Sequence, residues 1–292
     1  TSTGTVLVKD IVSGTSGSSP WYLTAIGSTL YFKATTSSHG NELWKSNGTD
    51  SGTVLVKDIY SGSSSSSPDY LIGNNNTLYF FAQTSAEGKE LWKSDGTSGG
   101  TVLVEDMTAG SSSTSPSFVT FLDGILYFSV IDSGSSVWRS DGLSGGTWRL
   151  HDEAGYDSVK SIVGLSGSGS IMFSADDGTH GFEPWIISPP TAVAGTYDVD
   201  QDVLTELSGS GSSDPDPEAT LTYKWDLDGD FIFGETGGSA TRGNEVGMSP
   251  SFSSIGLSGG STYNVWLRVT NSSGLSHTSY TLIDVHSTTP TG

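Results

Sequence analysis

Apolar residues along this chain come in runs of four to eight, bounded by Gly, Ser, Asn or Asp, and no stretch carries the i, i+3, i+4 stripe of an amphipathic helix. The pattern predicts an all-β protein. In "TVLVKDI" and "TLYF" residues of both parities are apolar. A sheet with one wet face would alternate strictly, so strands of this kind expect cover on both faces. Stacked sheets provide it.

The runs recur. "TLYF" at 29–32 and 77–80, "ILYF" at 125–128 and "SIMF" at 170–173 are each followed by a tryptophan-bearing segment. Trp44, Trp92, Trp138 and Trp185 stand 48, 46 and 47 residues apart. A period in the high forties, with about four strand signals per unit, is that of a β-propeller blade. Each blade would run outward through segments of the type "WYLTAIG", "TLYFKAT", "ELWKS" and "TVLVKDI". The turn "SDGT" (Ser94–Thr97) supplies residues that tolerate positive φ. The fourth copy ends at "FEPWIISPP" without its own "GTVLVKDI", while an orphan segment of that type stands at residues 4–12. The expectation is a four-bladed propeller closed by this N-terminal strand, which hides two sheet edges. The alternative is a half repeat cut from a longer array.

"ELWKSNGT" and "ELWKSDGT", decaying to "SVWRSDGL" and "FEPWIISP", resemble the ELWxxDGT repeat, and the resemblance spans residues 1–188. It implies a propeller within a large secreted or surface-attached bacterial protein, and no particular reaction.

Pro189 and Pro190 cannot donate to a strand ladder, and the tryptophan period stops there. Alternating strands around Trp225 and Trp266, with turn signals at sandwich spacing, then predict an immunoglobulin-like β-sandwich. "GSGSSDPD", "YKWDLDGD" and "LRVTNSSGLS" make residues 191–286 similar to a PKD-type domain. Residues 231–256 are an elaborated loop, and 287–292 read as a linker or tail.

The strongest candidate chemistry lies in "DLDGDFIFGE". Asp226, Asp228 and Asp230 occupy alternate positions, as in loops whose hard oxygens converge on calcium. Glu235 would add a carboxylate and Ile232 a carbonyl, and Asp214 and Asp216 in "SDPDPE" are expected to approach the same place. The competing reading is that these aspartates cap turns. Asn47, Asp95 and Asp141 hold equivalent turn positions in the repeats and read as turn caps. His39 and His180 share a loop position that the intervening copies fill otherwise, which argues against a common metal site. Two "GxSxG" matches, at 142–146 and 256–260, lie between no strand and helix, as a nucleophile elbow must. Trp21 stands where sister copies have Asp69 and Ser117, so the repeat does not demand it; it is a candidate for stacking on a sugar or a partner protein. Asn47, Asn75 and Asn271 begin N-x-S/T sequences.

With 32 acidic against 12 basic residues and a formal charge of −20, the chain repels phosphate backbones and anionic membranes. Neither nucleic acid nor membrane insertion is expected. Cysteine is absent, so disulfides and thiolate sites are excluded. No secretory leader is recognisable, which suits a mature product or an excerpt from a longer chain. Together these features predict a non-enzymatic extracellular structural or adhesive protein of a bacterial surface layer, filament or matrix. Its partners would be further copies, other surface proteins or glycans, and calcium would stiffen its sandwich. A lectin-like propeller module is the alternative, and a polysaccharide hydrolase or its accessory the third reading.

Overall fold

Each "TLYF"-type run is the second strand of an up-and-down antiparallel sheet in the computed structural model. The structure describes residues 4–131, 135–150, 156 and 158–287, which hold strands and no helix. The chain divides into two compact units, residues 1–164 with 172–185, and 165–171 with 186–292. Residues 288–292 of the expected tail lie outside the described residues.

Four sheets follow the repeat. The first is β1 (Trp21–Ile26), β2 (Thr29–Thr36), β3 (Gly40–Ser46) and β4 (Val54–Lys57). The second is β5 (Asp69–Asn74), β6 (Thr77–Thr84), β7 (Gly88–Ser94) and β8 (Val102–Glu105). The third is β9 (Pro116–Leu122), β10 (Ile125–Ile131), β11 (Ser135–Ser140) and β12 (Thr147–Arg149). The fourth has three strands, β13 (Ser158–Leu165), β14 (Ser170–Asp176) and β15 (Phe182–Ile187).

Both faces of the second sheet are covered, as its double parity requires. Leu78, Phe80, Ala82 and Trp92 pack on Tyr31, Leu43 and Val56 of the first sheet and on Ile59 of the linker that follows it. The opposite parity, Phe81 with Leu91 and Val104, packs on Leu126, Phe128 and Val130 of the third. Close approach is built in: a Cβ on Gly73 would sit 2.8 Å from Ile26, and one on Gly164 would sit 2.8 Å from Leu122. Polar ties accompany the packing. Lys45 Nζ donates to Gly96 O (2.8 Å) and Lys93 Nζ to Gly142 O (2.7 Å), each reaching the turn of the next sheet. Glu42 and Glu90, both fully buried, hold the linker that leaves the outer strand. Glu42 accepts the amides of Ile59 (3.1 Å), Tyr60 (3.3 Å) and Ser66 (2.8 Å) and the Ser66 hydroxyl (2.5 Å).

Closure of a ring by the N-terminal segment is not seen among the described residues. Residues 4–12 form no strand and lie against the first sheet, where Ile11 packs with Phe32, Ala34 and Trp44; the fourth sheet keeps three strands with β15 at its edge. Its side chains hold it on that sheet. Ile11 covers Phe32 and Trp44 as Ile59 covers Phe80 and Trp92, and Lys9 Nζ reaches Asp50 O (3.0 Å) as Lys57 Nζ reaches Thr101 O (2.8 Å). These contacts place the segment on the sheet that follows it, and among the described residues no strand pairs along its other side.

The second unit carries a four-stranded sheet in the order β16 (Tyr197–Asp200), β21 (Ser276–His286), β20 (Ser261–Asn271), β18 (Leu221–Asp226). A two-stranded sheet pairs β17 (Leu204–Glu206) with β19 (Ser251–Ser253). Strict alternation along β20 and β21 sends Val265, Leu267, Val269, Ile283 and Val285 inward onto Trp225, Leu207 and Phe252. Burying an aromatic the size of Trp225 together with these aliphatics supplies most of the drive for this unit, at about 1.5–3 kcal/mol per large side chain.

Candidate metal site

The site begins where β18 ends. Trp225 is buried, its indole donating to Gly247 O (3.1 Å), and its backbone amide bonds Glu245 O (2.7 Å), so residues 245–247 run beside β18. The chain leaves at Asp226, turns, and returns at Gly234, whose amide bonds Trp225 O (2.8 Å). Two buried carboxylates shape this loop from inside. Asp226 accepts the amides of Gly229 (2.7 Å) and Phe231 (3.0 Å), and Gly229 adopts φ +82° in the turn so formed. Glu245 accepts the amides of Leu227 (2.7 Å), Gly234 (3.2 Å) and Glu235 (3.1 Å).

Asp228, Asp230 and Glu235 are therefore brought together on the outer side of the loop, each offering a carboxylate oxygen within 4.8 Å of the others. Asp226, Asp228 and Glu245 form a second trio that shares Asp228. The two differ in what is left to bind. The oxygens of Asp226 and Glu245 already take backbone amides. In the outer trio Asp228 Oδ2 accepts the Thr241 hydroxyl (2.7 Å) and Asp230 Oδ1 accepts the Ile232 amide (2.8 Å), while Asp228 Oδ1 and Glu235 Oε2 are buried with no donor. Buried oxygens without donors are costly unless something positive faces them. Burial raises the Glu235 carboxyl above its ordinary range, and repulsion from Asp230, Asp228 and Asp226 adds to the rise. A hard dication would reverse both effects, and the three carboxylates could hold a metal ion.

Of the residues expected at this site, Asp226, Asp228, Asp230 and Glu235 converge, with Asp226 in a shaping role. Asp214 and Asp216 do not join either trio. Asp214 accepts the Asp216 amide (2.9 Å) and the Asn271 side chain (3.0 Å), and Asp216 accepts the Glu218 amide (3.0 Å), so both serve as turn caps. Glu245 and Thr241 were not foreseen. Their only sequence signal is a position inside the elaborated 231–256 loop.

In the first unit Trp21 is 66% exposed on β1, with Lys33 opposite it in register. Asn47, Asp95 and Asp141 cap their own turns, each accepting the amide two residues on. His180 pairs with Asp177 (2.8 Å), whereas His39 bonds Ser38 (2.9 Å) and Thr36 (3.3 Å), so the two loops hold unlike arrangements.

No known protein family and no curated protein matches the chain. Among solved structures it is similar to the extracellular domain of the hybrid two-component system BT4673 from B. thetaiotaomicron, at 10% identity and TM-score 0.40, covering 93% of this chain and 38% of that one. A chain from a structural and mechanistic study of two prolyl endopeptidases matches over 60% of this chain and 32% of its own length, at 12% identity and TM-score 0.36. The N-terminal eight Ig domains of Down Syndrome Cell Adhesion Molecule match at 10% identity and TM-score 0.24, over 91% of this chain and 47% of that one. The chain thus spans about a quarter to two fifths of the first three solved structures it matches. Among the described residues no helix is long and apolar enough to cross a membrane.

Proposed function

We propose that this chain is a non-enzymatic structural or adhesive part of an extracellular bacterial assembly: propeller-type sheets form a stacked array, and a PKD-type sandwich acts as a calcium-stiffened spacer. The observation that carries the reading is the pair of buried, donor-less oxygens on Asp228 and Glu235. A cation held there with Asp230 ties the 226–235 loop to the end of β18. Stiffening of that kind serves a spacer that transmits load.

Calorimetry of the full chain, with calcium and with chelator, tests it. A ligand at a hundred times its Kd adds about 2.7 kcal/mol to the unit that binds it. For a unit of about a hundred residues this raises its transition by about 10–20 °C. Glu235→Gln and Asp228→Asn should each remove the response, and an unchanged melt at millimolar calcium would end the proposal.

A second reading, favoured by the exposure of Trp21, is glycan binding through that side chain, with an indole face stacking on a sugar ring. Trp21→Ala should then abolish retention on a glycan array. Retention that survives the substitution would reject it.

A further inference from the structure

We propose that the exposed face of the first sheet, with residues 4–19 lying across it, docks the fourth sheet of a second copy of this chain. The result is head-to-tail assembly through a junction of the kind the chain already builds between its own sheets. The inference names surface and partner for the structural role above, and rests on that role only for its class.

Each internal junction joins two unlike faces, and one of each is left uncovered. On the incoming side Leu23 is 62% exposed, although its counterparts Leu71 and Val119 pack against the preceding sheet. On the outgoing side Val163 in β13 is 55% exposed, although its counterpart Ile72 packs against the third sheet. Pro184 in β15 is exposed where Leu43 and Leu91 are fully buried. The uncovered pair are mates of one another.

The N-terminal segment shows what shape the occupant has. It sits as the outer strand of a preceding sheet would, and beside it runs an apolar cleft of ≈ 560 Å³ lined by Leu7, Val8, Ile11, Leu23, Leu30 and Phe32. A sheet lacking its outer strand fits that vacancy, and β13–β15 is such a sheet among the described residues, with the β15 edge placed to pair along residues 6–9. One polar group makes the match specific. Glu42 caps the amides of Ile59, Tyr60 and Ser66, whose counterparts in the N-terminal segment are Ile11, Val12 and Ser18. Among the described residues no carboxylate caps these three. Glu183, the counterpart of Glu42, stands exposed on β15. Docking brings that carboxylate to those amides and buries both. Because the two faces differ, the contact is heterologous: copies form a ring if the rotation closes and a filament if it does not.

Sedimentation velocity over a concentration series, run in chelator so that the calcium site plays no part, tests the proposal. The wild type should sediment as two or more copies with rising concentration. Leu23→Asp and Val163→Asp, both at exposed positions, should each reduce this to one copy. An equimolar mixture of the two variants should give a 1:1 heterodimer and nothing larger, since one intact face of each kind remains. Glu183→Ala should weaken association about tenfold or more, as charge-assisted hydrogen bonds are lost. A single-copy mass at every concentration, or variants that fail to complement, would overturn it. A calcium response that persists in that event leaves the stiffened sandwich standing.

Discussion

Glu90→Gln isolates one buried carboxyl whose charge works against the fold. Glu90 on β7 is fully buried, with Oε2 accepting the Met107 amide (3.0 Å) and Oε1 the Thr108 hydroxyl (2.6 Å). Burial outweighs these bonds and raises its carboxyl to about 7. The folded state therefore holds this proton more tightly than the unfolded chain. The stability it contributes is complete below about pH 4.5 and is lost as pH rises through 7. At about 1.4 kcal/mol per unit the shift sets a ceiling near 3 kcal/mol, and solvent screening at the covering loop leaves about 1–2. For a unit of this size that lowers the melting temperature by about 2–8 °C between pH 5 and pH 8. In the glutamine variant the amide oxygen still accepts from Met107. Its NH₂ donates to Thr108 Oγ1, whose own proton goes to Ser112 O (3.2 Å). Calorimetry across that range, in chelator, should show the variant gaining on the wild type as pH rises. Parallel curves, or a variant weaker by a constant amount at every pH, would show that Glu90 is ionised in the fold and refute the reasoning.

Two further substitutions separate structural from binding roles. Gly96 adopts φ +87°, and a Cβ there would lie 2.4 Å from the Tyr31 hydroxyl, so Gly96→Ala should cost the first unit about 2 kcal/mol by thermal melt, with Tyr31→Phe recovering only the clash. Asp214→Ala should cost the second unit about 1 kcal/mol through loss of its turn cap, while the calcium affinity measured by titration stays unchanged.

The tryptophan period and the double apolar parity of "TLYF" made the stacked sheets legible, because packing on both faces writes itself into every strand. The fate of residues 4–12 was only half written. Ile11 and Lys9 encode the sheet they lie on, but strand pairing needs a partner edge, and nothing in a segment's own residues says which edge arrives. The carboxylates divide in the same way. Alternate spacing gathered Asp228 and Asp230 because a short loop cannot hold them apart. Asp214 and Asp216 share that spacing through turn capping, which the same residues do equally well. Glu245 comes to the loop through the pairing of residues 245–247 with β18, a register that no local pattern discloses.

The glutamate of the repeat carries a trade that changes along the chain. In the first two sheets Glu42 and Glu90 hold the linker, and the neighbouring indoles of Trp44 and Trp92 have buried N–H groups without acceptors. In the third sheet Ser136 stands at that position and accepts the Trp138 indole (2.9 Å), so the tryptophan is satisfied. In the fourth, Trp185 donates to Ala175 O (3.2 Å), and Glu183 keeps its carboxylate at the surface. A buried orphan N–H costs about 1–3 kcal/mol. Against that cost Glu42 sets four hydrogen bonds to its linker and Glu90 sets two. Where a sheet has its own outer strand, the latch closes within the chain. Glu183 is the same latch on a sheet without an outer strand, and the amides it matches, those of Ile11, Val12 and Ser18, belong to half-buried residues that among the described residues no carboxylate caps.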